Sequence, residues 1–307
     1  MPALPRFVVF GEALTDFIRQ DDDRWLAQPG GACWNVARVA SRLGIATGYG
    51  GALSTDVFGD ELARLSAAAG LDPRFIQRTD AAPLLAMVPS TRPPQYFFVG
   101  ESDLAFDPAR LPEGWLDAAE IVQFGCISLA RQPLAERLVG IARQAAAAGK
   151  RIAFDPNWRE PMHAPHYADT FRTLAALAHY IKVSDEDLGQ LFPDPAADPE
   201  VASLRALASL RALAPQAEIL LTRGASGMHW LHGDAVIDQP VFKVDVVDTV
   251  GCGDASMGGW MASVLHAPDA PVATHLRHAA AAAALAASHA GAYAATWDEV
   301  DALANRS

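Results

Sequence analysis

Short unbroken apolar runs alternate along this chain with stretches whose apolar positions recur every three or four residues. Phe7–Phe10 is a continuous apolar run that stops at Gly11, the pattern of a strand buried on both faces. Val36, Val39, Ala40 and Leu43 fall at helical spacing with Gly44 as the stop, and a second helix is predicted over residues 57–69, ending at Gly70. From residue 121 the rhythm is regular. Strands are predicted over 121–124, 151–154, 180–183 and 218–222, and helices over 134–148, 166–178 and about 200–213 between them. Such alternation implies right-handed crossovers and a mostly parallel sheet with helices on both faces. Two zones break the rhythm. Residues 12–28 are more polar and carry the acidic turn Asp21-Asp22-Asp23, and residues 84–100 hold two strand-like runs around a Pro-rich turn at 89–94. Both are expected to form a small β element added to the larger domain. The alanine-rich stretch near the C-terminus reads as a closely packed helix.

Composition narrows the classes. Of 307 residues 51% are hydrophobic and mean hydropathy is +0.10, enough apolar material for a buried core, which excludes a disordered chain. A formal net charge of −12 argues against a general nucleic-acid binder, which must neutralise phosphates. Cys33, Cys126 and Cys252 are far apart and odd in number, so neither a disulfide framework nor a zinc spacing is present, and reduced thiols in a cytoplasmic protein are expected. The apolar run near the N-terminus is too short for a signal peptide. The longest apolar run, residues 279–287, falls far short of the ~18 residues of a membrane span.

The candidate chemistry lies in one segment. A predicted strand over 244–247 leads into Asp248-Thr249-Val250-Gly251-Cys252-Gly253-Asp254 and then a helical run over 255–265. A loop with two glycines opening onto a helix presents unpaired backbone N–H groups at the positive end of the helix dipole, a place for an anion. Asp254 at its mouth would repel a phosphate unless its task is to take a proton from an incoming hydroxyl; the alternative is a helix N-cap. No Walker A sequence occurs, and Ser256 stands where a dinucleotide fingerprint needs its third glycine.

The segment 248–254 resembles the DTxGAGD signature of the PfkB/ribokinase family of carbohydrate kinases, and Gly30-Gly31-Ala32-Cys33-Trp34-Asn35-Val36-Ala37 resembles that family's other signature. Gly11-Glu12-Ala13-Leu14-Thr15-Asp16 matches its opening element, and Thr222-Arg223-Gly224-Ala225-Ser226-Gly227 a nucleotide loop. Within the family, residues 155–159 and 182–187 look most like the fructokinase branch. The resemblance implies one Rossmann-like α/β domain over 1–307 with a β-sheet lid inserted from roughly 12–28 and 84–106. It also implies ATP-dependent phosphorylation of a neutral hexose, most like fructose. A 2-keto-3-deoxygluconate kinase and a ribose or nucleoside kinase are the alternatives, with a non-catalytic sugar binder and a nicotinamide enzyme further off.

The resemblance also implies roles. Asp254 would be the base, and the amides of Gly251, Cys252 and Gly253 the hole that receives charge on the transferring phosphoryl group. Asp16, Gly31 and Asn35 match positions that hold sugar hydroxyls; a solvated turn is the alternative for Asp16 and a helix-start residue for Asn35. Arg159 matches an arginine near the substrate of keto-sugar kinases, or else makes a surface ion pair. Phe97 sits in a segment like the family's aromatic lid strand and is placed with the substrate. Thr222, Gly224 and Gly227 would pass near ATP, or form a strand-ending turn, with the adenine near residues 284–288. The family's metal-orienting element aligns with residues 184–187, so Ser184 would face the nucleotide and Asp187, or its rival Glu186, hydrated Mg2+. Asp248 and the Val250 carbonyl would hold a monovalent cation such as K+, a point the sequence leaves open. Cys252 replaces an alanine; its thiol is either alkylation-sensitive or buried and inert. Gly100 stands where many members carry arginine, which favours a neutral sugar. His275 and His278 are expected on a solvated helix face. A homodimer through the lid, with no nucleic-acid or membrane partner, completes the expectation.

Overall fold

The chain opens with β1 (Phe7–Phe10), β2 (Leu14–Arg19) and β3 (Trp25–Gly30), then α1 (Ala32–Arg42), β4 (Thr47–Ser54) and α2 (Val57–Ala69). β5 (Ile76–Thr79), β6 (Leu85–Thr91), β7 (Pro94–Val99) and the single turn α3 (Trp115–Ala118) lead to β8 (Ile121–Gly125). Next come α4 (Leu134–Ala147), β9 (Arg151–Asp155), α5 (Tyr167–Leu177), β10 (Tyr180–Ser184), α6 (Asp185–Leu191), α7 (Pro199–Leu213) and β11 (Glu218–Thr222). The hairpin of β12 (Met228–His232) and β13 (Ala235–Gln239) precedes α8 (Cys252–His266), α9 (Val272–Ala287) and α10 (Trp297–Ala304). This computed structural model describes residues 3–20, 23–91 and 94–306; Asp21 and Asp22 of the acidic turn, and Arg92 and Pro93 of the Pro-rich one, lie outside the described residues.

Nine strands form the main sheet in the order β13-β12-β11-β10-β9-β8-β1-β4-β5, parallel except for the pairings of β12 with β11 and β13. Four more, β3-β2-β6-β7, form a small mixed sheet: β2 runs parallel to β6 and antiparallel to β3. The chain leaves β1 toward β4 and β5, then returns to β8 on the other side of β1. The switch in winding direction therefore lies between β1 and β8, and the crevice beyond their carboxyl ends is where a doubly wound sheet binds ligands.

Alternation along β1 sends Phe7 and Val9 into a core with α1, α8 and α9, and Val8 and Phe10 into a second core on the opposite face with α4, α5 and α7. β4 was not legible in the sequence because its run Thr-Gly-Tyr-Gly-Gly-Ala-Leu-Ser has no apolar period, although every position is buried. Helix α8 is buried along Ala255–Leu265, and Gly258 lets it sit against α1: a Cβ there would come within 2.6 Å of Val39 Cγ1. That close approach sets the distance between α1 and the first turn of α8.

Two expectations are corrected. Residues 244–247 form no strand: Val246 and Val247 face solvent, and the Val247 and Asp248 amides bond the Ala287 carbonyl rather than a sheet neighbour. His275 and His278 are buried, not solvated. His275 pairs with Ser263 of α8 at 2.8 Å, and His278 stacks on Trp297 of α10, so the helix face they share is an interior one. Among the described residues no helix is long and apolar enough to cross a membrane.

Candidate active site

The residues singled out in the sequence come from the carboxyl edge of the main sheet, the small sheet and two helix starts. Gly31 caps α1 with φ of 113°, and a Cβ there would lie 2.6 Å from the Glu12 carbonyl. Only glycine permits that turn, and it brings Asn35, in the second turn of α1, over the sheet edge. Gly251, with φ of 78°, caps α8 and puts Asp254 in its first turn. Asp254 makes no cap hydrogen bond, so the N-cap alternative falls away.

Asn35 Nδ2 instead donates to Asp254 Oδ2 at 2.9 Å, while Oδ1 accepts no hydrogen bond from the described residues. Burial pushes the Asp254 carboxyl up, and the Asn35 bond and the charges of Lys182 and Arg159 partly offset it. A carboxylate oriented through one oxygen and open at the other, with a raised pKa, suits a general base. Asp16, on β2, faces it: burial pushes Asp16 up to about 6, Arg159 pulls it down and Asp254 adds to the rise. Gly30 leaves the space that the Asp16 carboxylate fills, since a Cβ there would meet Oδ2 at 2.4 Å.

Arg159 follows β9, half-buried, and makes no ion pair with the described residues. Its Nη1 bonds the Trp158 carbonyl at 2.7 Å, and its guanidinium lies 5.5 Å from the centre of the Tyr96 ring. Phe97 is corrected here. Successive residues of β7 point to opposite faces, so Tyr96 turns toward Arg159 and Asp16, whereas Phe97 is 53% exposed on the outer face. Gly100 admits no side chain at all, because a Cβ would lie 1.8 Å from the Pro83 carbonyl.

Of the three amides expected to form a hole, one already has a backbone partner. The Cys252 N–H closes a turn on the Thr249 carbonyl at 3.3 Å, leaving the Gly251 and Gly253 amides at the head of α8. Burial, with Asp248 and Asp254 nearby, pushes the Cys252 thiol up to about 11, so it is protonated and poorly nucleophilic near neutral pH. Asp248 engages both oxygens with backbone, the Val250 amide at 3.1 Å and the Gly291 amide at 2.9 Å, and so ties two loops together. Asp187 is similarly engaged: it caps α6 reciprocally with Ser184 and accepts the Trp158 amide at 2.8 Å. It holds the loop that carries Arg159, while Glu186 is exposed beside it. Ser184 and Thr222 are ladder neighbours at the ends of β10 and β11, next to the turn Gly224–Ser226. Gly227 packs against β13, where a Cβ would meet the Gln239 carbonyl at 2.5 Å. Among the described residues no three His, Cys, Asp or Glu side chains cluster as a metal site.

The structure adds groups to which the sequence reading gave no role. Lys182 in the middle of β10 and Asp155 at the end of β9, each 4% exposed, pair at 3.1 Å. Lys182 Nζ lies 3.3 Å from where a Cβ on Gly253 would be, so its charge sits close to the start of α8. Burial works against its charge, but Asp155, Asp187 and Asp254 hold its pKa above the ordinary lysine value. Burial pushes Asp155 up to about 7 against the pull of Lys182. Glu12 accepts the Ala32 amide at 3.0 Å and the Ser128 hydroxyl at 3.1 Å, which pins the start of α1 to the sheet. A lone Lys in a strand or a Glu after one carries no spacing signal, so only the three-dimensional cluster reveals them.

Burial pushes Glu12 up to about 7 from an ordinary 4.5. The folded protein therefore binds a proton that the unfolded chain releases, and this contribution to stability is present below about 4.5 and lost as pH rises through about 7. Glu12→Gln, which keeps an acceptor for Ala32, is expected to raise stability at pH 8 by roughly 2 kcal/mol and flatten its pH dependence in urea titrations. An unchanged profile would contradict this.

The profile of pfkB family carbohydrate kinases matches residues 5–299. A probable fructokinase-3 of Arabidopsis thaliana is 29% identical over 315 residues, 96% of this chain and 90% of that protein. A fructokinase of Xylella fastidiosa solved with bound ATP is 31% identical, covers 98% of each chain and superposes with a TM-score of 0.83. The aminoimidazole riboside kinase of Salmonella enterica, solved with aminoimidazole riboside and an ATP analogue, is 26% identical over 97% of this chain and 99% of that one, with a TM-score of 0.82.

Proposed function

The chain belongs to the pfkB family of carbohydrate kinases, and from that premise we propose that it transfers the terminal phosphoryl group of MgATP to a hydroxyl of a neutral hexose, fructose before others. The observation that carries this reading is the Asn35–Asp254 pair, 2.9 Å apart, in the first turn of the helix that Gly251 caps, with the second Asp254 oxygen accepting no hydrogen bond from the described residues. Asp16, Asn35 and Arg159 would orient the sugar, and Asp254 would take the hydroxyl proton as that oxygen meets the phosphorus. The amides and nearby Lys182 would stabilise charge on the transferring group. Mg2+ would arrive on the ATP phosphates with its own waters, within reach of Glu186. A monovalent cation at Asp248 would be an addition to its two amide bonds, and no step runs through it. The ATP-bound Xylella enzyme supports the nucleotide.

Aminoimidazole riboside is the second reading, favoured by the Salmonella relative. A coupled ADP-release assay over a sugar panel separates the two: fructose is expected to give the highest kcat/KM. Turnover confined to ribosides would overturn the hexose assignment. Exposed apolar side chains on the small sheet, Trp25, Leu26, Phe97 and Val99, support its pairing with a second copy as a lid, and the three free thiols support a cytoplasmic setting.

A further inference from the structure

One charged cavity lies outside the catalytic cleft. Between α1, α2 and the loop after α9 is a pocket of about 340 Å3, lined by Arg38, Arg42, Leu65, Ala69, Ala292 and Tyr293 among others. Arg38 and Arg42 stand one turn apart on α1, and neither makes an ion pair with a carboxylate of the described residues. Arg38 lays its guanidinium on the Trp34 ring at 4.4 Å, donates one long bond of 3.5 Å to Asn35 Oδ1, and leaves its buried Nε without a partner. Burial and the charge of Arg42 both push Arg38 below the ordinary arginine value, so a partly buried guanidinium is held one turn from a second, exposed cation. Glu299 of α10 attracts Arg42, but its carboxylate is engaged by Thr296 and by the Tyr293 hydroxyl. An arrangement of this kind is unfavourable until an anion enters it, and paired guanidinium groups match phosphate oxygens.

The opposite wall of the pocket belongs to the catalytic site as well. Asp248 accepts the Gly291 amide at 2.9 Å. Ala292 packs on Gly251, where a Cβ would come within 2.8 Å of it, and Gln28 of β3 reaches Gly291. On the arginine side, Asn35 links Arg38 to Asp254.

We propose that this pocket binds a small phosphate monoester, distinct from the sugar and nucleotide of the cleft. The two arginines take the phosphate group, and Tyr293 with the alanines and Leu65 covers the carbon body. This site stands apart from the kinase reading, and its test does not measure turnover.

The experiment is calorimetry on the full chain saturated with a non-hydrolysable ATP analogue, which fills the nucleotide's own phosphate sites. Glycerol 3-phosphate and inorganic phosphate are titrated separately. Saturable one-site binding of the ester is expected, with inorganic phosphate weaker. Arg42→Ala, a change at an exposed side chain, and Arg38→Met are each expected to weaken the ester roughly tenfold, the loss of one charge-assisted contact. No saturable heat from either probe, or the same affinity in wild type and both variants, would overturn the site. Inorganic phosphate binding as tightly as the ester would overturn the assignment of an ester.

Discussion

Asp254→Asn is expected to lower kcat about 10³-fold, the middle of the range for a positioned general base, while sugar affinity measured by calorimetry changes little. The substitution keeps the local geometry. The new amide oxygen still accepts from Asn35 Nδ2, and the amide nitrogen takes the open position that Oδ1 holds in the wild type. What disappears is the capacity to accept the hydroxyl proton. Because burial raises the Asp254 pKa, wild-type kcat should fall as pH drops through that raised value, and the residual activity of the variant should not follow that limb. Full activity in the variant would remove Asp254 from the chemistry.

The second large effect is expected at Lys182. Its partner Asp155 is as deeply buried as Lys182 itself, so at pH 8, above the value of about 7 that Asp155 has beside Lys182, Lys182→Met leaves a buried carboxyl without its counter-charge and is expected to destabilise the fold by about 3–5 kcal/mol, read as a loss of urea midpoint. The same change removes the cation close to Gly253 and is expected to lower kcat about 10²-fold. The two losses separate in the double variant Asp155→Asn with Lys182→Met. With both charges gone the stability should largely return, because neither partner is left buried and uncompensated. The lost kcat should not return, since the hole still lacks its cation. Recovery of both together would make Lys182 a structural residue only.

The sequence carried the site residues whose chemistry is written in spacing. Gly31 and Asn35 share one helix start, Gly251 and Asp254 another, and turn glycines before helices are local signals. The strands and helices predicted between residues 121 and 222 were legible for the same reason, since each needs only its own period, whereas the hairpin of β12 and β13 was not. What stayed hidden depends on partners far along the chain. β4 has no apolar period, and only its place between β1 and β5 makes it a strand. Lys182 and Asp155 meet because β9 and β10 are neighbours, which no local pattern states. Phe97 and Tyr96 differ by one position, and the register of β7 on β6 decides which of them faces Arg159. His275 and His278 look like a polar helix face until α8 and α10 cover them. The run at 244–247 has strand composition but no neighbouring strand to pair with.

The most direct test of the whole account is a crystal structure with fructose and a non-hydrolysable ATP analogue bound together. One sugar hydroxyl is expected about 2.6–3.2 Å from Asp254 Oδ1, aligned with the terminal phosphorus, and other hydroxyls on Asp16 and Asn35. A sugar bound with Asp254 turned away from every hydroxyl would contradict it.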